Sequence, residues 1–261
     1  MDTTQYDLDL FFQKGIFKIH VATAGGVLNE ELINIEKQDA IRQRALISNI
    51  NSETELNPHL NKVLEYKQSL INQGGIDYSF ETEIYARSFN GFANKDFFSF
   101  DRTVVGDSTN NEYHLVAYPR KYDYFITKSS GRLILLIIVK NHLKSILESR
   151  KYIQTIKDIS AINRHRFYLP FYYYLDEIYY YFEEEIKDDE FHKLYINCFD
   201  TYINIKTEDD IKLFMDKVRV LFDSLEFIIE LNEKQLEGEG KLGDWLTTKI
   251  MVVDNLYNID N

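Results

Sequence analysis

The chain has 261 residues, 44% of them apolar, and 30 Lys/Arg against 42 Asp/Glu give it a formal net charge of −12. The apolar share excludes a disordered polymer, and the surplus of acid argues against phosphate-backbone ligands, which call for clustered Lys/Arg. A single cysteine, Cys198, excludes an internal disulfide and any zinc site built on several thiolates.

The N-terminus reads as a hairpin. Tyr6, Leu8, Leu10 and Phe12 alternate with Asp7 and Asp9, Gln13-Lys14-Gly15 turns, and Ile16, Phe17, Ile19 and Val21 continue as a second strand. From Asn29 the spacing of Leu32, Ile35, Ile41 and Ala45 predicts a helix, with Asn29 as its cap. Leu60, Val63, Leu64 and Leu70 mark a second helix that Gly74-Gly75 ends. Three strands are then expected, at 78–86, 97–105 and 113–118, the last stopped by Pro119. Short connections between them favour antiparallel pairing.

The apolar run Leu133–Val139 has seven residues, against roughly 20 for a helix that spans a bilayer. Leu143, Ile146, Leu147 and Ile153 extend it with a helical period, so a helix is expected from Arg132 to about Lys157. Pro170 suits the first turn of another, running to about Lys187. A further helix, Glu208–Leu231, shows the clearest period: Ile211, Phe214, Val218, Leu221, Leu225 and Ile228, with Met215, Phe222 and Ile229 widening the stripe. Asp244 can cap a last helix carrying Trp245, Leu246, Ile250 and Val253.

The predicted class is α+β. An antiparallel sheet of about five strands with two inserted helices precedes an acidic helical half and a C-terminal helix on a Gly-containing linker. The expected divisions are 1–128, 129–236 and 237–261. The acid lies mostly late in the chain: residues 1–150 have a net charge of −2 and residues 151–261 a net of −10.

Gly238-Glu239-Gly240-Lys241-Leu242-Gly243 matches the dinucleotide fingerprint in letters only. That chemistry needs the glycines between a strand and a helix, so that backbone can approach a pyrophosphate. Here a Glu-rich helical pattern precedes them, and they read as a joint. No cofactor is expected. The aromatic stretch from Phe167 to Phe182 places rings all around a helix, and Tyr172, Tyr173, Tyr180 and Tyr181 are candidates for a protein interface. Trp245, Leu246 and Ile250 are candidates for the same role on the last helix.

For an enzyme, the promising region is the strand pair at 101–121, with Asp101, Glu112, His114 and Arg120 as candidate catalytic residues. An acid on one strand and a Glu-x-Lys pair on the next can hold a metal ion for hydrolysis. Glu112-Tyr113-His114 has His where that arrangement wants Lys.

The leading expectation is an interaction or assembly component with a protein partner or self-association. Its Phe, Tyr, Asn, Ile and Lys bias matches AT-rich bacterial or phage coding sequence. The first residues lack the basic and apolar regions of a signal peptide, so a cytoplasmic location is expected. The alternative is a metal-assisted hydrolase, nuclease-like in its residue pattern, centred on the strand pair 101–121.

Overall fold

A computed structural model of the protein describes residues 8–24, 35–105, 112–123, 130–149 and 190–236. The chain divides into two compact units, Met1–Thr127 with Glu230–Asn261, and Lys128–Ile229.

The hairpin of the first unit turns on one glycine. Strands β1 (Asp9–Lys14) and β2 (Phe17–Ala22) pair antiparallel, with Lys14 opposite Phe17. Only Gly15 and Ile16 are left for the loop. Gly15 has φ +57°, the positive value that the first position of a tight hairpin turn demands. After β2 come helix α1 (Ile35–Ile47), the short strand β3 (Thr54–Leu56), and helices α2 (Leu60–Gln73) and α3 (Thr82–Asn94). Strands β4 (Phe97–Arg102) and β5 (Tyr113–Pro119) follow, and a single 3-10 turn, Arg120–Tyr122, ends the segment.

The five strands form one sheet in the order β1-β2-β4-β5-β3. The α+β class and the N-terminal five-stranded sheet are as the sequence predicts, but three details differ. The sheet is mixed: β2 and β4 run parallel. Parallel neighbours need a long crossover, and among the described residues three helices, not two, lie in it. Residues 82–86 belong to α3 rather than to a strand, and β3 is the fifth strand instead. Alternation over Tyr78–Ala86 competes with a helical stripe of Ala86, Phe89, Phe92 and Ala93, all buried. The stripe wins because it continues into a face that packs on the sheet.

That helix-facing side carries two apolar clusters. Phe11, Ile41, Ala45, Phe92 and Phe97 form one; Leu60, Leu64, Ala86, Phe89, Ala93, Val116 and Ala117 form the other. On the opposite face Phe98 meets Phe17, Tyr122 and Tyr118 at centroid distances of 5.4, 5.3 and 6.1 Å. Burying each such ring contributes on the order of 2–3 kcal/mol.

One edge of the sheet is sealed by a side chain. The backbone N–H of Phe11 in β1 donates to Gln38 Oε1 of α1 at 2.7 Å, and both residues are buried. Gln38→Ala orphans that N–H and is expected to cost about 1–3 kcal/mol, measured by urea unfolding. Gln38→Glu keeps an acceptor and should lose less.

The second unit holds α4 (Ser130–Ser149), α5 (Glu190–Ile203) and most of α6 (Glu208–Leu236). The run from Leu133 is helical, as its continued period predicts, with Leu136, Val139 and Leu143 buried. In α6 the residues Ile211, Phe214, Met215, Val218, Leu221, Leu225 and Ile228 are buried, the stripe read from the sequence. Thr207 and Asp210 cap its start reciprocally: Asp210 accepts from the N–H groups of Lys206 and Thr207, while Thr207 Oγ1 accepts from Asp210 N–H. Lys217 ties α6 to α5 by donating to Asn197 Oδ1 and Thr201 Oγ1 at 2.6 and 2.7 Å. Cys198 is buried in α5 and its thiol is pushed up to about 12 by that burial, which leaves it inert as a nucleophile. Among the described residues no helix is long and apolar enough to cross a membrane.

Candidate functional site

The site grows out of one row of the sheet. Strand register places Asp9 (β1) beside Ala22 (β2), Ala22 beside Asp101 (β4), and Asp101 beside His114 (β5). A second row, Phe11, His20, Ser99 and Ala117, runs parallel to it. A bulge brings β5 into phase. Ser99 pairs with Ala117 but Phe100 pairs with Leu115, so Val116 is the extra residue. Without it, His114 and Ala117 would lie on opposite faces of the sheet; with it, both meet α3.

Asp101 is the hub. Its side chain is 7% exposed and forms an ion pair with Lys67, itself 6% exposed, which reaches in from α2. Lys67 also donates to the backbone oxygen of Arg102 at 2.8 Å, and its ammonium lies 5.4 Å from the ring centre of Tyr85. The Tyr85 hydroxyl of α3 donates to the same oxygen that Lys67 holds, Asp101 Oδ2, at 2.5 Å. Among the described residues nothing hydrogen-bonds to Oδ1.

The donor roles of His114 then follow. Having given its proton to a carboxylate, Tyr85 can only accept from His114 Nε2, 2.9 Å away, so Nε2 carries hydrogen. The Nδ1 atom is left to accept from the Thr103 hydroxyl at 3.1 Å. This neutral tautomer agrees with the environment: burial, helped by the charge of Lys67, lowers the imidazole to about 4, against the opposing pull of Asp101. The phenol of Tyr85 is raised by burial and then by Asp101, so it remains a hydroxyl. The result is a directional chain of donors, Thr103 to His114 to Tyr85 to Asp101.

A second chain lies in the neighbouring row. His20 Nε2 faces Asp9 Oδ1 at 3.1 Å, and Nδ1 faces Ser99 Oγ at 2.6 Å. Burial lowers the imidazole against the pull of Asp9, so His20 is neutral. Its Nε2 donates to the carboxylate, and Ser99 donates to Nδ1. Burial works to raise Asp9, but the His20 bond and charge and then Arg42, at 3.2 Å, hold it below its ordinary value. The order Ser, His, Asp is that of a hydrolytic triad. However, Ser99 is wholly buried, and His20 is stacked under Phe92 at 4.0 Å, so no substrate reaches the hydroxyl. This chain positions Asp9.

Between the two aspartates the sheet presents only the methyl of Ala22, and a cleft of about 490 Å³ opens there. Leu8, Leu10, Ala24 and Phe89 line it with Asp9, Gln38, Asp39, Arg42, Ser88 and Asp101. It lies at the carboxyl ends of β2 and β4, which run parallel, where open sheets with crossover helices place their ligands.

Of the candidates read from the sequence, Asp101 and His114 come together through Tyr85. Glu112 lies just before β5, where its backbone oxygen accepts from Thr103 N–H at 2.8 Å. Arg120 is exposed beyond the far end of β5 and pairs with Glu53 and Glu55. Among the described residues no group of three His, Cys, Asp or Glu is placed to hold a metal ion. Tyr172, Tyr173, Tyr180, Tyr181, Trp245, Leu246 and Ile250 lie outside the described residues, as do the helix expected from Pro170 and the Gly238–Gly243 segment.

No protein-family model, no curated protein and no solved structure matches this chain.

Lys67, Tyr85, His20, Asp9 and Arg42 were not singled out in the sequence. For Lys67 a signal existed: it continues the stripe of Leu60, Val63 and Leu64, a charge where a core residue belongs. Tyr85 was hidden by the strand pattern, and Asp9 and His20 by their polar–apolar alternation.

Proposed function

We propose that the N-terminal unit binds a small polar ligand in the Ala22 cleft and that Asp101 Oδ1 accepts a hydrogen bond or proton from it. One observation carries this reading: a buried carboxylate at the wall of a cleft has both of its partners among the described residues on Oδ2. Burying an ion pair costs several kcal/mol per ion before pairing, and well-packed apolar replacements often do as well or better. A carboxylate so placed at a cleft wall, with Tyr85 on its other oxygen, can accept a hydrogen bond from a ligand. Lys67 and Tyr85 fix the carboxylate plane, leaving Oδ1 for the ligand.

The strand pair is therefore read as holding a ligand by hydrogen bonding rather than through a metal ion. Both nitrogens of His114 are engaged by Tyr85 and Thr103, and the other oxygen of Asp101 by Lys67 and Tyr85.

The test is a screen of small polar compounds by amide chemical-shift perturbation. Hits should move the amides of Ala22, Ala24, Gln38 and Phe89. Ala22→Phe, which fills the gap between the aspartates, should abolish those shifts while the rest of the spectrum stays dispersed. Hits that map elsewhere, or that survive Ala22→Phe, would overturn the reading.

A further inference from the structure

We propose that the ligand of this cleft is a small organic cation, a primary ammonium on a short apolar body. The inference rests on the cleft being a ligand site and adds the class of ligand.

Among the described residues, three aspartates and one arginine line the cleft. Arg42 is matched by Asp9 through Nε at 3.2 Å. Lys67 matches Asp101 in charge from behind the wall but takes only Oδ2. Asp39 is exposed and, among the described residues, has neither an ion pair nor a hydrogen bond. His20 and His114 are neutral by burial and add no charge. Among the described lining residues one negative charge is thus left over, and two carboxylate acceptors, Asp39 and Asp101 Oδ1, have no donor there.

The second observation is independent of that count. Asp101 is more than nine-tenths buried and lines the cleft, yet among the described residues Oδ1 has no donor. Oxygens so placed are normally satisfied by water or by a ligand donor. An ammonium supplies three hydrogens and a full charge at one small atom, so it can serve Oδ1 and offset the surplus charge together. The remaining wall, Leu8, Leu10, Ala22, Ala24 and Phe89, suits a short hydrocarbon, and the face of an aromatic ring is attractive to a cation. An anion would meet Arg42 but also Asp39 and Oδ1 at no compensation, and an uncharged isostere would leave the surplus standing.

The experiment compares three probes of one shape, n-butylammonium, 1-butanol and butyrate, titrated into the full chain and followed by amide shifts. Only the ammonium should move Ala22, Ala24, Gln38 and Phe89. Asp101→Asn should weaken it about 10- to 100-fold, the range of a charge-assisted hydrogen bond. Because Asp101→Asn can also destabilise the unit, Asp39→Asn is the second variant. It touches no core group and should weaken the ammonium severalfold without changing the dispersion of the spectrum. If butanol or butyrate binds the cleft as well as the ammonium, the cation class is wrong while the cleft stands. If none of the three moves those amides while other small polar compounds do, the cation class is wrong and the cleft stands; if no compound of the screen moves them, the cleft reading falls as well.

Discussion

Lys67→Ala is expected to cost the N-terminal unit about 3–5 kcal/mol, because it leaves Asp101 charged, buried and without its countercharge. The loss should show in urea unfolding as a lower midpoint with an unchanged slope. The informative variant is the double replacement Lys67→Met, Asp101→Leu. It removes both charges together and keeps comparable volume, so most of the stability lost in the single variant should return. The Tyr85 O–H would then lose its acceptor and the backbone oxygen of Arg102 one of its donors, which limits the recovery. A double variant as stable as the parent, but unable to bind in the cleft, would mean that the ion pair serves binding rather than folding. A double variant as unstable as Lys67→Ala would mean that the pair is structural, and would count against the ligand reading.

Acidification should weaken the fold in a window set by His114. Its folded value is lowered to about 4, against about 6.5 in an unfolded chain. Above pH 6.5 the imidazole is neutral in both states and the native contacts are at full strength. As the pH falls below 6.5 the unfolded chain takes up a proton that the folded one refuses, so stability declines until about pH 4 and then levels off. A difference of this size corresponds to roughly 3 kcal/mol in all. His20 is lowered for the same reason and adds loss below pH 6.5. Asp9, held below its ordinary value, loses its contribution at lower pH, beneath the unfolded carboxylate value of about 4. His114→Gln cannot take up the proton. Its stability should therefore be lower at pH 7 but flatter between pH 6.5 and 4, a difference read by parallel urea titrations. An unchanged pH slope in His114→Gln would show that the network around His114 takes up its proton at little cost.

These two predictions turn on groups of very different legibility. The helix of Glu208–Leu236, the hairpin at Gly15 and the helical character of the run from Leu133 all follow from local patterns. A stripe at helical spacing buries itself wherever it packs, and a glycine with positive φ turns a hairpin whatever surrounds it. The pairing of Asp101 with His114 was half visible, because both stand on neighbouring predicted strands. Their partners were not. Lys67 and Tyr85 are 34 and 16 residues from Asp101, and Asp9 and Ser99 lie 11 and 79 residues from His20. No local rule connects residues so far apart.

The case of residues 78–86 shows where local reading fails. Alternation and helical spacing both fit that stretch, and the choice is made by Phe89, Phe92 and Ala93, which continue the helical face and bury it against the sheet. Strand phase is another such case. A period of two counted along β5 would set His114 and Ala117 on opposite faces; the extra residue at Val116 sets them on one.

The sequence by itself therefore determined the class, the acidic distribution, the hairpin and the main helical stripes, since each depends on neighbours within a turn or two. The tertiary structure alone decided the parallel pairing of β2 with β4, the Lys67–Asp101–Tyr85–His114 network and the cleft beside Ala22. Those depend on which strands become neighbours and in what register, and that is set by burying all the apolar faces at once.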